Sequence, residues 1–178
     1  MNITTIGKGN IGGGLAQLWE RAGHTVTTLG SEGGDASGAD VVLVAVPGRA
    51  ISDALSKVSG IDGKLAIDAT NAFSDRNEQY ESLAHEVEAH TNAPVAKAFN
   101  ANFAALYDQI GEQSVQPGCL YAADDEAREV AEQLIRDAGY EPVSAGRLGT
   151  HVRSRTSSRG LLGKIGRVFY RFAPPGDL

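Results

Sequence analysis

Cysteine is nearly missing from this chain. Cys119 is its single example in 178 residues, which rules out an internal disulfide and a Cys-rich zinc site. Long hydrophobic runs are missing too: the longest, "VVLVAV" at 41–46, falls far short of the roughly 20 apolar residues that cross a bilayer. No charged segment followed by an apolar stretch opens the chain, so no signal peptide is expected and the expected location is cytoplasmic. The four histidines, His24, His85, His90 and His151, show no ligand spacing. No H-E-x-x-H, G-x-S-x-G or paired-carboxylate pattern occurs either, so neither a metal centre nor a hydrolytic nucleophile is expected. Basic charge is scarce over most of the length: residues 1–141 carry 9 Lys+Arg against 21 Asp+Glu, a net −12. Such a body repels nucleic acid, whose binding depends on neutralising phosphates. Residues 142–178 reverse the balance, with 7 basic side chains and Asp177 alone acidic, a net +6.

What is present is ordinary for one globular domain: 42% hydrophobic and 21% charged residues, enough to bury a core. Strand and helix signals alternate. "NITTIG" (2–7) is short, β-branched and ends at glycine, and Ile11, Leu15, Leu18, Trp19 and Ala22 follow at helical spacing up to Gly23. Strands are expected at 24–30, 40–48, 64–71, 94–100, 118–124 and 140–146. The run at 40–48 is continuously apolar, as in a parallel strand covered on both faces. Helices are expected around Ile51–Val58, from Tyr80 through Val87, and as a short one over Phe103–Ile110. A further helix follows Asp124, read as its cap, with apolar positions 127, 130, 131, 134, 135 and 138 and a stop at Gly139. This alternation predicts a doubly wound, mostly parallel α/β sheet of the Rossmann type over 1–148. The roughly ten residues "GSEGGDASGA" lack apolar periodicity, so the usual helix between strands two and three is expected to be replaced by a bare loop.

The glycine spacing Gly7-x-Gly9-x-x-Gly12 follows the first strand and opens the first helix, the context in which this pattern binds dinucleotides. Gly7 makes the turn, Gly9 admits the pyrophosphate, and Gly12 lets helix pack on strand. The helix N-terminus supplies free N–H groups to the phosphates. An acid normally ends the second strand to hold the ribose 2′-hydroxyl of NAD. Here Gly30-Ser31 stands at that place, and Glu32 comes two residues later, expected to point to solvent. Room for a 2′-phosphate favours NADP over NAD. Lys8 and Arg49 are the candidate phosphate partners, and each is equally readable as a solvated surface charge.

Three further stretches, "AVPGRAI" (45–51), "DATNAF" (68–73) and "KAFNANFAAL" (97–106), fall where strand ends converge. Together with "GKGNIG" and "AGHTVTTLGS" they resemble the coenzyme F420-dependent NADP oxidoreductase family, in order over roughly residues 1–148. That family includes NADPH:F420 oxidoreductases and the reductase domains of transmembrane metalloreductases. The resemblance implies that Gly7, Gly9, Asn10, Ile11 and Gly12 hold the pyrophosphate and Ser31 the 2′-phosphate. It implies that Ala45, Val46 and Pro47 line the adenosine and ribose side, and that Thr70 and Asn71 flank the nicotinamide ribose. Lys97 to Asn100, with Ala101 and Asn102, would form the wall where nicotinamide meets a second ring. Asn71 and Asn100 are the candidate catalytic residues; ordinary strand-end capping is the alternative for both. This chain departs from the pattern in having Glu32 where many relatives have Arg, Ala72 where proline is frequent, and a C-terminal stretch that matches poorly.

Hydride transfer between NADP(H) and a second redox partner fits a chain without acid–base or nucleophile motifs, because the cofactors carry the reactivity. Coenzyme F420 leads among acceptors through the resemblance; a flavin, a ferric chelate or a small carbonyl compound stays open. A non-catalytic dinucleotide-binding module is the alternative. The expected partner is a small molecule, with neither nucleic acid nor membrane engaged and a homodimer open. In the extension at 149–178, Leu161, Ile165, Val168, Phe169 and Phe172 fall on one helical face, with Lys164, Arg167 and Arg171 off it. Docking on the body or a second subunit is favoured over a membrane surface. Arg147, Arg153 and Arg155 are candidates to meet the anionic tail of a deazaflavin.

Overall fold

The computed structural model describes residues 1–73 and 76–148. The amphipathic helix expected within 149–178, with Arg153 and Arg155, lies outside the described residues. The elements are, in order, β1 (Asn2–Ile6), α1 (Asn10–Arg21), β2 (Thr25–Leu29), β3 (Gly34–Asp35), β4 (Val41–Val44), α2 (Ile51–Ser56), β5 (Val58–Ser59), β6 (Leu65–Asp68), α3 (Leu83–Thr91), β7 (Val95–Lys97), β8 (Gly118–Ala123), α4 (Asp125–Asp137) and β9 (Glu141–Ser144). Short 3₁₀ helices occupy Gly48–Ala50 and Ala104–Glu112.

Seven strands make one sheet in the order β2-β1-β4-β6-β7-β8-β9. The pairings from β2 through β7 are parallel, β7–β8 is antiparallel, and β8–β9 is parallel again. The chain runs outward from β1 to β2 and then returns to the other side of β1 with β4. That reversal is the topological switch point where doubly wound sheets bind ligands. The α/β Rossmann-type fold read from the sequence is therefore the one observed.

Strand β4 shows why its sequence is continuously apolar. Val41 and Leu43 enter one core with Leu15, Trp19 and Leu134; Val42 and Val44 enter the other with Ile51, Leu55 and Val87. Alternate side chains thus serve opposite faces, and neither face meets water. Helix α1 buries Leu15, Ala16, Leu18 and Trp19 and stops at Gly23, whose φ is +91°. Helix α4 buries Ala127, Ala131, Leu134 and Ile135, as its spacing predicts. Cys119 is fully buried on β8, and burial pushes its thiol up to about 12.

Four local expectations change. The helix expected from Tyr80 begins at Leu83, because Ser82 caps it by accepting the His85 N–H at 3.3 Å. The stretch after Phe103 winds as a 3₁₀ helix, from Ala104. Asp124 precedes α4 without capping it; its carboxylate accepts the Val95 N–H at 3.3 Å and ties β7 to the helix entry. Between Leu29 and Val41 no residue is helical, yet the crossover is not bare: β3 pairs in parallel with β5 as a separate two-stranded sheet.

Each strand end passes on one more bond of the ladder. The N–H of Gly7 donates to Leu29 O (2.9 Å), Ala45 to Ile6 O (2.9 Å), Ala69 to Val44 O (2.9 Å) and Ala98 to Asp68 O (3.1 Å). The glycine loop, Gly30, the Ala45 turn, Thr70 and the turn at Phe99 therefore leave the sheet along one edge.

Candidate functional site

At the switch point the glycine loop is built by close approach. Gly7 has φ +107°, and a Cβ there would lie 2.5 Å from the Ala45 carbonyl oxygen. A Cβ on Gly12 would sit 1.9 Å from Gly7 O, so only glycine lets α1 start this near β1. Gly9 differs. It has ordinary extended backbone (φ −76°, ψ −167°), and no atom lies within 4 Å of where its Cβ would be. It is the N-cap of α1 with no side-chain bond to the first-turn amides, and that turn carries no acid. The first-turn amides of α1 thus have no side-chain cap at Gly9, and the positive end of the helix dipole lies at this loop. Ala45, Val46 and Pro47 follow β4 beside this loop, half-buried or exposed.

At the end of β2 Glu32 is exposed, as expected, and the structure adds a surface contact: its carboxylate meets Lys8 Nζ at 3.4 Å and accepts from Ser31 Oγ at 3.3 Å. The pair lies directly over Gly30, where a Cβ would be 2.7 Å from Lys8 Nζ and 2.8 Å from Glu32 Oε1. The missing side chain of Gly30 makes room for the Lys8 ammonium. Backbone N–H bonding and the Lys8 charge hold the Glu32 carboxyl below its ordinary range. Both side chains are largely exposed, at 62% and 68%, so a better ligand can displace this contact at little cost. Arg49 is exposed on the 3₁₀ turn that follows Pro47.

Farther along the edge, Asn71 and Asn100 come together from β6 and β7. Asn71 Nδ2 donates to the Asn100 carbonyl at 2.8 Å, and Asn100 Nδ2 lies 3.5 Å from Asn71 Oδ1. Both side chains are half-buried. The rest of "KAFNAN" does not share that face. Ala98 and Phe99 are fully buried, and Asn102 turns inward to donate to Gly118 O at 3.1 Å. Phe99 adopts φ +63°, a left-handed conformation that costs a phenylalanine about 1–3 kcal/mol. Edge-on contacts to Trp19 (5.9 Å) and Tyr140 (6.3 Å) and complete burial offset it.

Lys97 also faces inward. Its ammonium bonds Asp68 Oδ2 at 2.8 Å and reaches both the carbonyl and the hydroxyl of Thr70. Asp68 is completely buried, a functional-edge residue to which the sequence alone assigns no role. The signal that finds it is register: Asp68 and Lys97 end neighbouring parallel strands and stand opposite each other. Arg147, a candidate for an anionic acceptor tail, pairs with Asp125 at 2.8 Å beside α4.

Among the described residues no helix is long and apolar enough to cross a membrane. No protein-family model and no curated protein matches the chain. Its fold does match solved structures. One is a proposed F420-dependent NADP-reductase from Arthrobacter sp. FB24, 21% identical, with a TM-score of 0.68 over 83% of this chain and 86% of that one. A hypothetical protein from Sinorhizobium meliloti is 25% identical, with a TM-score of 0.69 over 97% and 94%. A reductive aminase from Aspergillus terreus, solved with NADPH and ethyl levulinate, is 13% identical with a TM-score of 0.57. The match covers 82% of this chain and 55% of the aminase. The neighbours are similar to this chain in fold, and several are named as reductases or dehydrogenases.

Proposed function

We propose that this chain is an NADPH-dependent oxidoreductase that passes hydride between NADP(H) and a second redox ring, with coenzyme F420 the leading acceptor. The observation that carries the reading is the clear space over Gly9, framed by Gly7 and Gly12 packed too closely for any side chain. That combination fits a pyrophosphate drawn onto the first-turn amides of α1. When bound, the nicotinamide ring supplies the hydride; the protein binds and orients.

Gly7 to Gly12 hold the pyrophosphate, with Ala45, Val46 and Pro47 along the adenosine and ribose side. Ser31 and Lys8 take the 2′-phosphate. Thr70, Asn71 and Asn100 fix the nicotinamide end, where half-buried amides give orientation without a titrating proton. Lys97 offers the acceptor no free N–H, because Asp68 Oδ2, the Thr70 carbonyl and the Thr70 hydroxyl take its three. Such an edge suits an acceptor that needs no proton from a side chain, as a redox ring does. F420 as that acceptor rests on the family resemblance of the sequence and on the name of one fold neighbour.

Fluorescence titration with NADPH and NADH, followed by stopped-flow oxidation with F420, FMN and a ferric chelate, tests the reading. NADPH is expected to bind more tightly than NADH and to be oxidised fastest by F420. Asn71→Ala is expected to slow oxidation at saturating NADPH about tenfold, the effect of losing alignment at the reacting end. Binding of NADPH with no oxidation by any acceptor would leave a dinucleotide-binding module instead.

A further inference from the structure

We infer that Lys97 and Asp68 form a positioning pair whose output is the placement of Asn71 at the nicotinamide end. This rests on the dinucleotide reading above and concerns residues that touch no ligand themselves.

The bonds form a closed chain. Asp68 Oδ1 accepts the Thr70 N–H at 2.7 Å, and Asp68 Oδ2 accepts from Lys97 Nζ at 2.8 Å. Lys97 in turn donates to the Thr70 carbonyl and reaches Thr70 Oγ1 at 3.4 Å. Thr70 is thus gripped at its N–H, its carbonyl and its hydroxyl, and it is buried. The next residue is Asn71, whose amide reaches across to the Asn100 carbonyl. An ammonium has three donors, and here each has an acceptor. Lys97 therefore has no N–H left for a phosphate or an acceptor, although the family resemblance places it in the cofactor wall.

Burial explains why a charged pair does this work. Asp68 is fully buried and Lys97 is 22% exposed, so both charges are held in a setting where a carboxylate is tolerated only with a partner. Neither can leave without stranding the other. A neutral hydrogen-bonded turn would hold Thr70 more loosely, since charge-assisted bonds are shorter and stronger. Strand register supplies the rest, by setting Asp68 opposite Lys97.

The test compares two ligands on the full-length protein. NADP⁺ engages the whole edge, whereas 2′-phospho-ADP, which ends at the pyrophosphate and lacks the nicotinamide ribose, engages only the half away from Asn71. Lys97→Met is expected to weaken NADP⁺ about tenfold and to change 2′-phospho-ADP less than twofold. Because Lys97→Met leaves Asp68 unpaired and can impair folding, Asp68→Asn/Lys97→Met is measured beside it. The double variant removes both charges while the amide carbonyl introduced at position 68 still accepts the Thr70 N–H, and the same selective loss is expected. Equal weakening of both ligands, or of neither, would overturn the inference. The ligand-free protein gives a second readout: the Asn71 side-chain amide signals in ¹⁵N NMR are expected to shift and exchange faster in the double variant. Unchanged Asn71 signals would also overturn it. If the wild-type chain binds neither ligand, the dinucleotide reading fails, and the Asn71 signals alone decide the positioning role.

Discussion

Gly9→Asp is expected to raise or preserve the melting temperature while weakening NADPH binding at least about a hundredfold, opposite signs from one substitution. The stability half follows from the backbone. Gly9 is the N-cap of α1 in an extended conformation open to any residue, with nothing within 4 Å of a new Cβ. Aspartate is among the best N-caps, and its carboxylate would accept from the amides of Ile11 or Gly12, worth a few tenths of a kcal/mol over glycine. The binding half follows from the same bonds. Those amides are the ones proposed to hold the pyrophosphate, and the carboxylate would both occupy them and repel the incoming anion. Thermal melting and fluorescence titration check the two halves separately. A Gly9→Asp protein that still binds NADPH with wild-type affinity would place the pyrophosphate elsewhere.

Glu32→Gln is expected to move the NADPH:NADH affinity ratio about ten- to a hundredfold toward NADPH, the span of one charge-assisted hydrogen bond gained or lost. In the wild-type protein the Glu32 carboxylate sits 3.4 Å from Lys8 Nζ and draws on the Ser31 hydroxyl. Both groups are the ones a 2′-phosphate would use. Glutamine removes the competing negative charge and leaves Lys8 and Ser31 to the phosphate. It also weakens the acceptor that a 2′-hydroxyl would find, so the NADH side of the ratio falls. Lys8→Met is the converse and is expected to lower NADPH affinity with little effect on NADH. Parallel titrations of both nucleotides on the three proteins read the ratio directly; an unmoved ratio in Glu32→Gln would remove this pair from the 2′-end.

The fold is more legible in the sequence than the site, and particular residues show why. Val41 to Val44 are readable as a doubly covered strand because a short run with every position apolar has one outcome in a parallel sheet. Two of the loop glycines, Gly7 and Gly12, answer to each other at close range, so their spacing is a local signal. The 3₁₀ winding of Ala104–Glu112 is not readable, since apolar residues three and four apart suit either helix. The exposure of Glu32 is readable, but its pairing with the ammonium of Lys8, which lies 24 residues earlier, has no local trace. Asp124 has the residue type and place of a cap, but β7 supplies a competing donor at Val95. Asp68 and Lys97 are hardest of all: their meeting depends on the register of two strands, a tertiary fact with no local trace.

Cys119 has a practical consequence. A fully buried thiol held near 12 is almost entirely protonated at neutral pH and out of reach of maleimide, so the native chain behaves as a background without reactive cysteine. Gly38 on the exposed crossover has open space around it. Gly38→Cys is expected to accept one fluorophore at pH 7 while wild type accepts none, as counted by intact mass. The label would sit at the sheet edge opposite the glycine loop, where the Asp40 N–H donates to Asn2 O at 2.8 Å, so a dye can follow the protein without touching any residue proposed to hold the ligand.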